Sequence, residues 1–277
     1  MQLKSISHLL ICALSFTVYD VFRRPGTTVT TRNVKSFLKC FFVILHLNSE
    51  SLKMKFGVVI FPGSNCDRDM IDALKNDLQQ EVISLWHKDK DISMFQKEDC
   101  IVLPGGFSFG DYLRCGAIAR FSPMMQSVIG FANKGGKVFG VCNGFQILCE
   151  SGLLPGILLK NANMQFVCKN VFITGANKIG EKNVLKIPVA HGEGRYFARE
   201  EILDELQQKD QVLYRYCNED GSVNFDCSPN GSVNNIAGIS NEQRNVFGLM
   251  PHPERACSVL LGNTDGKQVF SALFSIN

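Results

Sequence analysis

Cys142 stands in the run Gly140-Val141-Cys142-Asn143-Gly144, where an apolar segment gives way to a helical one. A nucleophile on a sharp strand-to-helix turn is pushed clear of the backbone, and small neighbours permit the tight approach such a turn needs. The helix that follows aims its N-terminus at the sulfur and favours the thiolate. The N–H of Asn143 then falls where an oxyanion donor belongs. A structural cysteine between packing glycines is the plainer reading, and the strand-end position weighs against it. Pro104-Gly105-Gly106-Phe107 closes the preceding apolar segment. Ligands of open parallel sheets bind beyond the carboxyl ends of the strands. Gly105 and Gly106 therefore share a rim with Cys142, where they either turn N–H groups toward an oxyanion or simply make a turn.

A cysteine nucleophile needs a base, and the base needs an orienting group. Two stretches offer both, His191-Gly192-Glu193 and His252-Pro253-Glu254. In extended backbone, residues i and i+2 project to one side, so either carboxylate can meet its histidine. The second follows an apolar strand, and Pro251 and Pro253 hold His252 extended. Gly192 and Gly194 loosen the first, which then reads as a mobile loop or a surface histidine.

The elements that must position these groups follow from hydrophobic period. Residues 55–61, Glu81–Trp86, Cys100–Leu103 and Lys137–Val141 are compact apolar runs that predict buried strands. Residues 67–78, Pro123–Asn133 and the segment after Cys142 through Glu150 read as helices. Such alternation implies an α/β fold with a mostly parallel sheet and helices on both faces. Beyond Gly156 the pattern changes. Segments 162–174, 183–190, 212–216, Ile236–Ser240 and 246–250 predict antiparallel strands added to the same sheet, with helices at 199–208 and 266–274.

Charge divides the chain. Residues 1–53 carry seven Lys/Arg against two Asp/Glu, and the remainder twenty-two against twenty-four. The main domain, 54–277, therefore lacks the basic, aromatic-interleaved surface of a nucleic-acid binder. The extension 1–53 holds two apolar bursts, each shorter than the ~20 residues of a membrane helix. It reads as a segment outside the functional fold, with Met54 the working start, or else as a targeting segment. Eleven cysteines, an odd number without C-x-x-C spacing, describe neither a disulfide framework nor a zinc site. A reducing cytosol and no metal on this chain are the expectations.

Taken together, Gly140-Val141-Cys142-Asn143-Gly144-Phe145-Gln146 and Pro251-His252-Pro253-Glu254 resemble the class I glutamine amidotransferases, whose architecture is flavodoxin-like. The stretches 61–67, 106–114, 190–196 and 262–266 narrow the likeness to the glutaminase subunits of phosphoribosylformylglycinamidine synthase. The resemblance covers 54–277 and none of 1–53. It implies that Cys142 attacks the side-chain amide of glutamine, with N–H groups near Gly106 and Asn143 on the oxyanion. His252, oriented by Glu254, then serves as acid and base, and Gln146 helps position glutamine. It further implies a loop at His191, Glu193 and Arg195 that serves a partner or a gate. The ammonia would pass to a separate synthetase subunit that carries ATP and magnesium, with a small bridging subunit in the complex. The chain itself has neither a G-x-x-x-x-G-K-[ST] nor a G-x-G-x-x-G loop for a nucleotide. A glutaminase feeding another acceptor, or an intracellular cysteine peptidase on a similar fold, are the alternatives.

Overall fold

The computed structural model describes residues 54–175 and 184–276. The N-terminal extension and the expected strand start at Asn183 lie outside them. Four parallel strands build the first half of a nine-stranded sheet: β1 (Lys55–Ile60), β2 (Glu81–Trp86), β3 (Cys100–Leu103) and β4 (Lys137–Val141). Between them run α1 (Asp67–Asp72), continued by a π-helical turn at Ala73–Asp77, and α2 (Pro123–Asn133). Ser122 caps α2 by accepting the Met125 N–H, and Pro123 fills its first turn.

After α3 (Asn143–Glu150) come β5 (Ile157–Leu159), β6 (Val167–Gly175), β7 (Val184–His191), β8 (Arg195–Phe197) and α4 (Glu200–Gln208). The chain ends with β9 (Val212–Cys217), β10 (Ile236–Ser240), β11 (Val246–Leu249) and α5 (Asp265–Phe274). The main sheet runs β2-β1-β3-β4-β11-β10-β9-β6-β7, and β5 with β8 forms a separate antiparallel pair. β11 joins β4 in parallel; β10, β9, β6 and β7 follow antiparallel. The second half of the sheet is thus antiparallel, as the change of pattern beyond Gly156 predicts.

The centre of the sheet explains how α3 reaches its place. In register, Phe139 of β4 faces Phe247 of β11, and Gly140 faces Gly248. The phenylalanines point to one face, where Phe139 and Phe247 meet Phe274 of α5 at ring-centroid distances of 5.7 and 5.8 Å. The glycines point to the other. A Cβ on Gly140 would meet Gly144 and Leu148 of α3, and one on Gly248 would meet Phe145. Two side-chain-free positions side by side let α3 lie directly on the sheet.

Three expectations shift. The strand expected from 162 begins at Val167, because Asn161–Gln165 forms a turn closed by Met164 N–H on Asn161 O at 2.9 Å. β7 extends one residue further than periodicity indicates, so His191 ends a strand. Glu254 lies in a 3₁₀ turn, Pro253–Ala256, and not in extended backbone. The short β5–β8 pair carries no period long enough to be read from sequence.

Gly144 is the tightest contact between α3 and the sheet. An added Cβ would sit 1.9 Å from Leu103 O, a backbone atom that cannot move aside. Gly144→Ala is expected to destabilise the fold by about 3 kcal/mol, the upper end of overpacking costs, as read from urea unfolding. A loss below about 0.5 kcal/mol, the scale of a surface change, would contradict this packing.

Candidate active site

Cys142 occupies the single residue between β4 and α3, with φ 51° and ψ −106°. A non-glycine residue reaches positive φ only under constraint. Here the constraint is double: its N–H donates to Leu249 O at 2.8 Å, and α3 is pinned through Gly144. The sulfur is held at the carboxyl end of β4, ahead of the unpaired N–H groups of the first turn of α3. Its thiol reaches toward Ala190 O, 3.7 Å away.

His252 arrives from β11. Its N–H donates to Pro188 O of β7 at 2.8 Å, which fixes the backbone as it leaves the sheet. The following 3₁₀ turn brings Glu254 round so that Oε1 lies 2.6 Å from His252 Nδ1. Both side chains are buried, with exposures of 1% and 0%. His252 Nε2 bonds no other nitrogen or oxygen, and the ring interacts with the Cys142 sulfur. Burial by itself would lower the proton affinity of His252. The Glu254 carboxylate and the nearby Cys142 sulfur oppose it, and the net direction is upward. The ring is therefore held for the charged form, oriented by Glu254 on one nitrogen.

Gly105 borders both groups. A Cβ there would lie 2.7 Å from His252 Cε1 and 3.4 Å from Cys142 Cβ. Gly106, at φ 130°, would press a Cβ against the Asn65 N–H at 2.7 Å, so only glycine fits. The Asn143 side chain faces the rim loop: Oδ1 accepts the Ser108 N–H, and Nδ2 donates to Gln146 Oε1 at 2.9 Å. Gln146 Nε2 donates to Glu193 O at 2.6 Å. Both ends of the Gln146 amide are thus engaged within the protein, and it ties α3 to the 191–195 segment.

The second His-x-Glu stretch is built differently. His191 is 3% exposed, which corrects the expectation of a surface histidine. Its Nδ1 lies 3.1 Å from Asn161 Oδ1 and its Nε2 3.4 Å from Asn230 Nδ2. Glu193 turns away from it and acts on Cys115 and Asp111. Of the two, only His252 has a carboxylate on its ring. Glu193 and Arg195 are half-buried.

Sequence reasoning missed Asn161 and Asn230, since isolated asparagines in loops carry no pattern. It also assigned nothing to Cys66 or Asp111. Cys66 lies beside Gly105, where a Cβ would be 3.3 Å from its sulfur. Burial pushes the Cys66 thiol up to about 12, although Arg255 opposes the shift, so it stays protonated. Burial also raises the Asp111 carboxyl, against hydrogen bonds from Cys115, Gly116 and Asn143. Among the described residues no cluster of His, Cys, Asp or Glu is arranged to hold a metal ion. Among the same residues, no helix is long and apolar enough to cross a membrane.

The chain that carries this cysteine elbow and buried histidine–carboxylate pair has relatives among known proteins. Residues 53–270 match the family model of the CobB/CobQ-like glutamine amidotransferase domain. Phosphoribosylformylglycinamidine synthase subunit PurQ of Salinibacter ruber is 50% identical over 231 residues, covering 81% of this chain and 97% of the relative. PurQ of Moorella thermoacetica is 51% identical over 227 residues, covering 79% and 95%. A chain in the structure of PurLQS from Thermotoga maritima superposes with a TM-score of 0.69 at 39% identity, covering 81% of this chain and 99% of that one. The chain belongs to the PurQ family of glutamine amidotransferase subunits.

Burial of His191 has a consequence for stability. Burial first, and His252 second, pull its pKa from the ordinary value down to about 4. Above pH 6.5, the ordinary histidine value, the ring is neutral folded or unfolded. As pH falls below that, the unfolded chain takes up the proton first, and stability drains until the folded ring titrates near pH 4. Wild type is expected to lose about 3 kcal/mol more than His191→Asn between pH 7 and pH 4, measured by urea unfolding. Parallel curves for the two proteins would contradict the assignment.

Proposed function

We propose that this chain is the glutaminase subunit of a phosphoribosylformylglycinamidine synthase, with Cys142 the nucleophile, His252 the acid and base, and Glu254 its orienting carboxylate. The observation that carries the assignment is the buried 2.6 Å contact of His252 Nδ1 with Glu254, beside a Cys142 sulfur that interacts with the same ring. Cys142 Sγ, its proton passed to His252 Nε2, attacks the side-chain carbonyl carbon of glutamine. The carbonyl oxygen takes up the charge, facing the N–H groups of Asn143 and Gly106. His252 Nε2 gives its proton to the departing nitrogen, and the C–N bond breaks to release ammonia and leave a glutamyl thioester on Cys142. The ring, now neutral, takes a proton from water, which attacks the thioester and frees glutamate.

Glu254 carries no proton through this cycle. It keeps Nδ1 protonated and aims Nε2 at the reacting atoms, the part a carboxylate plays in a nucleophile–histidine–acid triad. The ammonia serves a synthetase subunit, which uses ATP and magnesium to aminate formylglycinamide ribonucleotide. A small third subunit bridges the two, and the complex works in the cytoplasm. The relatives named as subunits of the synthase, and the structure of PurLQS, support the reading of a multi-subunit enzyme. The same relatives favour it over a peptidase or a glutaminase with another acceptor.

His252→Ala is expected to lower glutamate release by about 10²–10⁴-fold, the usual contribution of general acid–base catalysis. Glu254→Gln should lose less, because it disturbs orientation and charge while leaving the proton carrier in place. Steady-state glutamate production in the presence of the synthetase checks both. Near-wild-type turnover by His252→Ala would overturn the assignment.

A further inference from the structure

His191 lies against the site without a part in the acid–base chemistry. Backbone groups decide which of its ring nitrogens carries the proton. Asn161 Nδ2 donates to the carbonyls of Gln165 and His191, each at 2.8 Å, and Oδ1 accepts the Gly194 N–H at 3.0 Å. A carbonyl cannot donate and an N–H cannot accept, so this amide has one orientation. Its Oδ1 faces the ring, and Nδ1 must be the N–H. Asn230 is fixed the same way: Nδ2 donates to Gly194 O at 2.8 Å, and Oδ1 accepts the Ser232 N–H at 3.0 Å. Its Nδ2 faces Nε2, which must therefore offer a lone pair. The clamp admits the neutral Nδ1–H tautomer, whereas an imidazolium would set two donors against each other at Nε2. His252 beside the ring opposes a charge on it, and the His191 carbonyl, which favours one, is outweighed by that and by burial.

The clamp also holds the backbone that passes the nucleophile. Ala190 O meets the Cys142 thiol, and Glu193 O accepts from Gln146. Gly194 is gripped at both its N–H and its C=O, and the ring lies so close that a Cβ there would be 2.4 Å from Nδ1. No residue of 190–194 is free to shift without breaking a bond to Asn161, Asn230, Gln146 or Cys142.

We propose that His191 is a positioning residue for glutamine hydrolysis: a neutral spacer between Asn161 and Asn230 that sets the 190–194 backbone as the fixed wall of the pocket beside Cys142. This rests on the glutaminase reading above. The role is steric and hydrogen-bonding, so it calls for a neutral donor at Nδ1 and for no proton transfer.

The test uses the full-length chain and two electrophiles for Cys142: a glutamine-analogue diazoketone, which must fit the pocket, and iodoacetamide, which need not. His191→Leu is expected to slow labelling by the analogue about fivefold to tenfold, the equivalent of losing one neutral hydrogen bond. Iodoacetamide labelling should stay within about twofold, below the effect of one hydrogen bond. His191→Asn keeps a neutral donor toward Asn161 and should recover most of the analogue rate. Unchanged analogue labelling in His191→Leu would overturn the proposal, and so would both reagents slowing together with no recovery in His191→Asn. Should His191→Leu fail to fold, nitrogen-15 spectra of histidine-labelled wild type decide: the neutral Nδ1–H form at pH 7 is required, and an imidazolium or Nε2–H form refutes the clamp. Wild type that resists the diazoketone altogether would instead count against the glutaminase reading, while the spectra still report on His191.

Discussion

The backbone at Cys142 takes a shape that an L-residue adopts only when its surroundings leave no alternative, φ 51° with ψ −106°. Such conformations cost about 1–3 kcal/mol each and persist where packing over-determines them. The over-determination here can be traced residue by residue. Paired glycines on β4 and β11 bring α3 onto the sheet, Gly144 abuts Leu103 O, and Leu249 O takes the Cys142 N–H. Phe139 and Phe247 on the opposite face pack on α5, so the strands that carry the glycines are themselves anchored in the core. The stability of the sheet's centre is what keeps the sulfur at the rim.

The same centre delivers His252. β11 pairs with β4, so the chain leaving β11 emerges beside the turn leaving β4, and His252 meets Cys142 without a long loop. α5 closes the turn from below, because its Gly266 packs directly on Pro253 O. Two neighbouring buried histidines then meet opposite environments. A carboxylate on Nδ1 raises the proton affinity of His252 against its burial, and burial, with His252 second, lowers that of His191. The opposite shifts match the separate tasks proposed for them, one ring to move protons and the other to hold backbone.

Much of this was legible in the sequence. The Gly-x-Cys-x-Gly spacing, the apolar run ahead of it and the Pro-His-Pro-Glu stretch point to the elbow and the histidine–carboxylate pair through local patterns alone. The strand–helix alternation gives the parallel half of the sheet for the same reason. Long-range pairing was not legible. That Asn161 and Asn230, sixty-nine positions apart, grip one histidine from two sides follows from where β6, β7 and β9 bring their loops. Gly192 and Gly194 suggested looseness, yet Gly194 is glycine because the His191 ring occupies the space a side chain would need. The His252–Glu254 pairing was foreseen from extended backbone, and a 3₁₀ turn makes it instead.

The central claim is that the strained cysteine of the elbow carries the covalent intermediate. Mixing the full chain with glutamine, quenching in acid during the first turnover and mapping peptides by mass spectrometry tests it directly. The account predicts a glutamyl thioester on the peptide that contains Cys142 and none on those that contain Cys66 or Cys115. An adduct on either of those thiols, or glutamate formed at the wild-type rate by a Cys142→Ala chain, would contradict it.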